Sequence, residues 1–208
     1  MLRFHRIPSA STILFPDLIW KMPETGERSV YLTFDDGPMP GPTDFVLDAL
    51  KDYDGSATFF CIGNNIRKHP QTFNRILQDG HSVGNHTDHH ISGWNTSSEL
   101  YRRDIDECEK VLEGSNTNKL FRPPFGKLPF YYKKILSDKQ IIMWDLLTYD
   151  FDPALPVQRA LENIKRLTRP GSIVVFHDSL KAEKNLKYML PPYLDFLNNE
   201  GYSLKSIR

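Results

Sequence analysis

One stretch of the sequence decides the fold, and it reads Val30-Tyr31-Leu32-Thr33-Phe34-Asp35-Asp36-Gly37-Pro38. Its first half is a run of β-branched and aromatic residues, which predicts a buried strand. Two adjacent carboxylates follow, and Gly-Pro then makes the chain turn. Asp-Asp-Gly-Pro is good turn chemistry by itself, so a polar turn is the simpler interpretation of these four residues alone. Because neighbouring residues at a strand end point in different directions, one acid could instead hold a metal while the other handles a proton.

Outward from this stretch, short runs of strand formers alternate with helical patterns along the chain. The further strands are predicted at residues 57–62, 82–84, 119–121, 141–146, 172–176 and 202–207. The helices are predicted at residues 43–53, 65–78, 97–113, 129–136, 157–167 and 183–198. In the helix 97–113, the residues expected to face inward are Leu100, Ile105, Val111 and Leu112.

This alternation of strand and helix predicts an α/β fold with a parallel sheet. A full eight-unit barrel usually takes roughly 250 residues. About seven strand–helix units fit into the 208 residues present. We therefore expect a distorted, incomplete (β/α)7-type barrel, with its active site at the C-terminal ends of the strands. A doubly wound open sheet is the alternative.

Length and composition bound the class of protein. The 208 residues suit one domain, and Lys plus Arg equals Asp plus Glu at 26 each. Net charge therefore offers no argument for nucleic acid, a membrane surface or a polyanion as partner. We expect no bridge between Cys61 and Cys108, because two cysteines make no disulfide framework.

We expect residues 1–28 to form an N-terminal segment packed on the barrel. Its predicted anchors are Phe15, Leu18, Ile19 and Trp20. The apolar part of this segment is too short and too often interrupted to be a signal-peptide core or a membrane span. The sequence therefore predicts a cytoplasmic protein with no membrane span, and we expect a monomer.

Polar residues follow the predicted strands where each strand ends, and they are Asp35, Asp36, His86, Arg122, Asp150 and His177. In a parallel α/β fold, chemistry lies at the C-terminal ends of the strands. Five different strands contribute to this set. The sequence thus predicts one functional site assembled from distant parts of the chain.

His86 and His90 stand four residues apart, a spacing that would put both imidazoles on one face of a helical turn. With Asp36 they make two imidazoles and one carboxylate, a set that leaves positions open for water and substrate as catalytic zinc sites do. His89 is an alternative partner for His86. Taken singly, each feature also has a simpler interpretation, such as a solvated His-rich loop, a core histidine or a helix cap.

Together the motifs resemble those of the polysaccharide deacetylases, the family-4 carbohydrate esterases. The five motifs are Thr33-Phe34-Asp35-Asp36-Gly37-Pro38, His86-Thr87-x-x-His90, Arg122-Pro-Pro-Phe-Gly126, the Asp150 loop and Val174-Val175-Phe176-His177-Asp178. The resemblance runs from about residue 29 to residue 208 and implies a catalytic domain over this range. It also implies metal-dependent removal of acetyl groups from N-acetylated sugars such as N-acetylglucosamine units of chitin or peptidoglycan.

The resemblance implies a role for each motif residue. Asp36, His86 and His90 would bind a divalent metal, most simply zinc, with cobalt or nickel as alternatives. Asp35 would be the general base, oriented by Arg122. His177 would be the general acid, oriented by Asp150, whose charge favours the protonated imidazole.

The resemblance further implies substrate contacts at Phe125, Gly126, Phe151 and Val175. The chain departs from the family pattern there, with Leu147 at the position of an acid and Phe151 at that of a tryptophan. Because of these departures, the sequence does not determine which glycan is the substrate. The alternatives are an O-deacetylase of acetylated xylan or a similar ester, a catalytically idle sugar-binding relative, and an unrelated hydrolase of phosphate esters. No Gly-rich phosphate cradle accompanies the acids, which disfavours the last.

Overall fold

The computed structural model describes residues 3–24, 26–115 and 119–208. The strands are β1 (Ser29–Asp35), β2 (Thr58–Cys61), β3 (Ser82–Asn85), β4 (Leu120–Phe121), β5 (Gln140–Ile141), β6 (Leu146–Leu147), β7 (Ile173–His177) and β8 (Ser203–Leu204). The helices are α1 (Ser9–Leu14), α2 (Pro42–Lys51), α3 (Gly63–Lys68), α4 (Pro70–Gln78), α5 (Ser98–Leu112), α6 (Tyr132–Ile135), α7 (Val157–Leu167) and α8 (Glu183–Asn199). A 3₁₀ turn covers Pro124–Gly126.

The strands form one curved parallel sheet in the order β5-β4-β3-β2-β1-β7-β6, and β8 pairs with β1 off this path. Every residue of β1 is buried, because β2 and β7 flank it and helices cover it. From β1 the sheet runs in sequence to β5 on one side, while β7 and β6 return on the other. This is the order of a barrel cut between β5 and β6, whereas a doubly wound sheet reverses its order near the middle. The predicted incomplete barrel is confirmed.

The N-terminal segment lies across the cut. Ile19 donates to the Ile141 carbonyl at 3.0 Å and accepts from the Met143 amide at 2.8 Å, beside β5. Nearer the terminus, the Leu147 amide in β6 donates to the His5 carbonyl at 2.8 Å. The same segment therefore satisfies backbone groups at both free edges of the sheet.

The anchors predicted in this segment have different environments. Leu18 is buried and Ile19 and Trp20 are half-buried, but Phe15 is 44% exposed and does not act as a buried anchor. Residues 1, 2 and 25 of the predicted segment lie outside the described residues.

Two predicted elements are divided in the structure, and another is shorter than predicted. The helix predicted over 65–78 is two helices, α3 and α4, because Pro70 has no amide hydrogen and disfavours helical geometry at His69. The helix predicted over 129–136 shortens to α6. The strand predicted over 141–146 divides into β5 and β6, because Ile142 donates to the Phe121 carbonyl of β4 whereas Asp145 donates to the Ile173 carbonyl of β7.

The helix predicted over residues 97–113 is confirmed as α5, with the Ser97 hydroxyl capping it by accepting from the Leu100 amide at 3.3 Å. Leu100 itself is 57% exposed, so its predicted inward position is wrong. It lies in the first turn, while Ile105 and Leu112 further along are fully buried.

Cys61 and Cys108 are both buried and unbridged, as expected. Cys108 Sγ, in α5, lies 3.5 Å from the carbonyl oxygen of Cys61, in β2. Within the three described ranges, none of the helices combines the length and the apolar character needed to span a membrane.

Candidate active site

The C-terminal ends of the strands bring the predicted residues to one place. Asp35 ends β1 in register with His177, which ends β7. His86 follows β3, Arg122 follows β4, and the Asp150 loop follows β6. A cleft of about 430 Å³ opens at this edge of the sheet, and Asp35, Asp36, His86, His90 and His177 line it. Arg122 and Asp150 lie fully buried just beneath these side chains.

Asp36, His86 and His90 form a compact cluster of ligand atoms. The Asp36 Oδ1 atom lies 3.2 Å from His90 Nε2 and 3.7 Å from His86 Nε2, and all three ligand atoms lie within 4.8 Å of one another. Burial opposes ionisation of Asp36. The hydrogen bond from His90 and the charges of His177 and His86 nevertheless hold the pKa of Asp36 well below its usual range.

The chemistry of these three side chains fits a divalent metal such as zinc, which binds imidazole nitrogen and carboxylate oxygen. His86 Nδ1 donates to the Arg122 carbonyl at 2.7 Å, which leaves the Nε2 lone pair directed at the cluster. Burial lowers the pKa of His86 to about 4, so its imidazole is neutral at neutral pH. A neutral imidazole is the form that binds metal.

The loop that carries the two histidines is not helical. Thr87 and His90 have φ angles of 63° and 56°, in the left-handed region that costs non-glycine residues energy. The Asp104 carboxylate of α5 holds the loop by accepting from the Asp88 amide at 2.9 Å and the His89 amide at 3.0 Å. The prediction that His86 and His90 lie on one face of a helical turn is therefore wrong, although their side chains do converge.

His89 points away from the cluster. Its side chain is 61% exposed, and its Nδ1 atom donates to Asp104 Oδ1 at 2.7 Å. The structure therefore resolves the alternative between His89 and His90, because only His90 joins His86 and Asp36 at the cleft.

Asp35 is held by a buried arginine. Arg122 Nη1 donates to Asp35 Oδ1 at 2.8 Å, and the guanidinium lies 4.1 Å from the centroid of the Phe60 ring. Its remaining nitrogens donate to backbone carbonyls of Ile142 at 3.1 Å and Met143 at 2.8 Å. Burial lowers the pKa of Arg122, against the charge of Asp35. This ion pair leaves one carboxylate oxygen of Asp35 to face the cleft.

His177 is paired with a buried acid. His177 Nδ1 donates to Asp150 Oδ1 at 2.8 Å, and the His177 amide donates to Asp150 Oδ2 at the same distance. Burial disfavours the charged imidazole, but the charges of Asp150, Asp36 and Asp35 outweigh it and raise the pKa of His177 to about 9. The side chain is therefore a proton donor at neutral pH.

Asp178, the last residue of the fifth motif, ties two motifs together. It is fully buried, accepts from the Gly37 amide at 3.1 Å and accepts a hydrogen bond from the Thr43 hydroxyl. A Cβ at Gly37 would lie 2.1 Å from an Asp178 oxygen, so the turn after Asp36 requires glycine. Burial raises the pKa of Asp178 to about 7, against the Thr43 hydrogen bond. Only its position beside His177 could have singled it out in the sequence.

The walls of the cleft are largely apolar. The predicted contacts Phe125, Gly126, Phe151 and Val175 all line it. Phe125 packs edge-on against His90 with ring centroids 4.5 Å apart, and Phe151 packs against His177 at 4.8 Å. Four further lining residues were not predicted as contacts, and they are Pro123, Trp144, Leu147 and Lys181. Nothing in the local sequence around Trp144 or Lys181 signals the cleft.

Comparison with known proteins identifies the family. The family model for polysaccharide deacetylase matches residues 23–143. A peptidoglycan-N-acetylglucosamine deacetylase of Bacillus cereus is 32% identical over 192 residues, covering 90% of each chain. A chitooligosaccharide deacetylase of Azorhizobium caulinodans is 31% identical and covers 76% of this chain and 77% of its own.

A solved structure of this family has a similar fold. A CE4 family pseudoenzyme from Bacillus anthracis superposes with a TM-score of 0.78 at 25% identity, over 91% of this chain and 66% of its own. The family model spans more than half of the chain, and the Bacillus cereus relative is similar over nine-tenths of it. The chain belongs to the polysaccharide deacetylase family.

Proposed function

We propose that this protein is a metal-dependent hydrolase that removes the acetyl group from N-acetylated sugars of N-acetylglucosamine type. The observation that carries the proposal is the convergence of the ligand cluster, the Asp35–Arg122 pair and the His177–Asp150 pair on one cleft. The peptidoglycan and chitooligosaccharide deacetylases to which the chain is similar support N-deacetylation.

Asp36, His86 and His90 would hold the metal. A divalent ion bound there supplies Lewis acidity, which acidifies a water and polarises the acetyl carbonyl. The second nitrogen of His86 is already engaged by the Arg122 carbonyl, so that side chain needs no rearrangement to bind.

Asp35 would accept the proton of the attacking water. Arg122 occupies one of its carboxylate oxygens and keeps the side chain pointing into the cleft. His177 would then donate a proton to the sugar nitrogen as the bond to the acetyl carbon breaks. The Asp150 contact on Nδ1 leaves the Nε2 proton of His177 available for this transfer.

If the protein were instead a catalytically idle sugar-binding relative, we would expect a metal ligand, the general acid or the general base to be missing. All these side chains are present and face the cleft, which supports the enzyme. Residues 1–28 are proposed to be a packed N-terminal segment, and residues 29–208 the catalytic domain, because β1 opens the sheet at Ser29.

The test is acetate release from N-acetylglucosamine oligomers by purified protein, after chelation and after zinc is added back. We expect release that chelation abolishes and zinc restores. Acetate from acetylated xylan but not from the oligomers would instead establish the O-deacetylase. No bound zinc at any concentration would overturn the proposal.

Two variants separate the roles of the acid and the base. Asp35→Asn should keep stoichiometric zinc and lose turnover, and near-normal turnover would remove Asp35 as the base. His177→Ala should also bind zinc normally with a much smaller kcat. An unchanged kcat would remove His177 from the mechanism.

A further inference from the structure

The loop of residues 147–152 carries two groups of the candidate site. Asp150 is the buried partner of His177, and Phe151 packs against the same imidazole. The residue before Asp150 is strained, because Tyr149 has a φ angle of 61°, in the left-handed region that disfavours a residue with a side chain. The loop therefore needs contacts outside itself to keep Asp150 against His177.

The N-terminal segment supplies contacts at the start of this loop. The buried His5 ring donates from Nδ1 to the Leu147 carbonyl at 2.9 Å, and the Leu147 amide donates to the His5 carbonyl at 2.8 Å. The His5 ring also packs edge-on against Tyr149, with ring centroids 5.4 Å apart. The Tyr149 hydroxyl donates to the Phe4 carbonyl at 3.3 Å. The strained residue is therefore held through both its ring and its hydroxyl group.

Arg3 holds the far end of the loop. Its Nε atom donates to Asp152 Oδ2 at 2.9 Å, and its Nη2 atom donates to the Ala154 carbonyl at 3.2 Å. From α8, Asn185 donates to the carbonyls of Asp150 and Asp152 at 2.9 Å and 3.0 Å. Two elements thus fix the loop from outside, the N-terminal segment and α8.

The N-terminal contacts join parts of the chain that are far apart in sequence. Arg3 and Asp152 are separated by 149 residues. The match to the family model begins at residue 23, so membership of the family implies no role for residues 3–5. Their contacts nevertheless converge on the loop that orients the proposed general acid.

We propose that Arg3 and His5 are positioning residues for the general acid. They hold the loop so that Asp150 stays against His177. Neither residue lines the cleft, so both act through the loop and not on the substrate. This role rests on the proposed function, because it affects catalysis only if His177 donates the proton.

The first test is amide hydrogen exchange at His177, measured by NMR on metal-free protein. This amide donates to Asp150 Oδ2 at 2.8 Å, so it exchanges faster whenever the loop opens. The Asp178 amide is the internal reference, because it donates to the Asp35 carbonyl of β1 at 3.1 Å. Arg3→Gln should speed exchange at His177 about fivefold, near the upper end for a solvent-exposed ion pair, and leave Asp178 unchanged.

Arg6→Gln is the matched control, because it removes the same charge from the same segment. Arg6 donates to the Leu167 carbonyl at the end of α7, and its Nε atom lies 3.4 Å from Asp145 Oδ1. Its side chain is 30% exposed, against 20% for Arg3. We expect this control to leave exchange at His177 unchanged. Arg3→Lys keeps the positive charge and should restore most of the protection.

The second test is acetate release from N-acetylglucosamine oligomers by the zinc-loaded double variant Arg3→Gln/His5→Phe. The phenyl ring keeps the contact with Tyr149, whereas the hydrogen bond to the Leu147 carbonyl is lost. The kcat should fall about fivefold, because the loss of both contacts leaves the general acid aligned for a smaller fraction of the time. Arg6→Gln should keep the kcat of the parent protein.

The outcomes separate this inference from the proposed function. Unchanged exchange at His177 in Arg3→Gln, or equal acceleration at His177 and Asp178, would overturn the positioning role. A double variant with the kcat of the parent would do the same. No acetate from the parent protein would refute the proposed function, and the exchange rates would still decide whether Arg3 holds the loop.

Discussion

The Asp104 carboxylate holds the loop that carries the proposed metal ligands His86 and His90. We predict that Asp104→Asn weakens zinc binding ten- to a hundredfold, the usual effect of removing a group that orients metal-binding side chains. Its two oxygens accept three hydrogen bonds, from the amides of Asp88 and His89 at 2.9 Å and 3.0 Å and from the His89 ring at 2.7 Å. Asparagine keeps one acceptor oxygen and loses the negative charge.

The magnitude follows from these contacts. A hydrogen bond to a charged group contributes about 1.5–3 kcal/mol, against about 0.5–1.5 kcal/mol between neutral groups. The hydrogen bonds from the Asp88 and His89 amides would each become about 1 kcal/mol weaker. The hydrogen bond from the exposed His89 ring contributes little to this loss. The loop would then relax from the left-handed geometry of Thr87 and His90, and zinc binding must restore it. A total of about 2 kcal/mol corresponds to roughly thirtyfold in affinity.

The assay is zinc titration against a competing chelator, with thermal unfolding of the metal-free protein followed in parallel. Asp106→Asn is the control, because Asp106 lies on the same helix and its carboxylate accepts from Arg102 at 2.8 Å. We expect this control to bind zinc like the parent protein. An Asp104→Asn protein that is folded and binds zinc within twofold of the parent would refute the reasoning.

Three further predictions concern the residues of the cleft. Asp36→Ala should lose zinc and activity together, measured by metal content after dialysis, and retained stoichiometric zinc would reject the ligand role. Asp150 raises the pKa of His177, and the acid works only while protonated, so Asp150→Asn should move the alkaline fall of kcat to lower pH; an unmoved pH profile would contradict this. Arg122→Met leaves Asp35 buried without its counter-charge, so urea unfolding should show a loss of about 3–5 kcal/mol. A loss below about 1 kcal/mol would mean that the pair contributes little.

Where sequence prediction failed, contacts between distant residues had overridden local pattern. The strand predicted over 141–146 divides because Ile142 pairs with Phe121 of β4 whereas Asp145 pairs with Ile173 of β7. The spacing of His86 and His90 was correctly interpreted as convergence, but Asp104 imposes a loop rather than a helical turn. None of these partners is adjacent in sequence to the residues that it constrains.

The amino-acid sequence by itself determined the alternation of strands and helices, the barrel class and the identity of the residues that converge on the cleft. These follow from local chemistry, because strand formers, helix stops and polar residues at strand ends are neighbours along the chain. Only the tertiary structure decided which histidine joins Asp36, how Asp178 and Asp104 hold the two loops, and where Lys181 stands over Phe151. Those outcomes depend on distances between elements far apart in sequence, and such distances are set when the core packs.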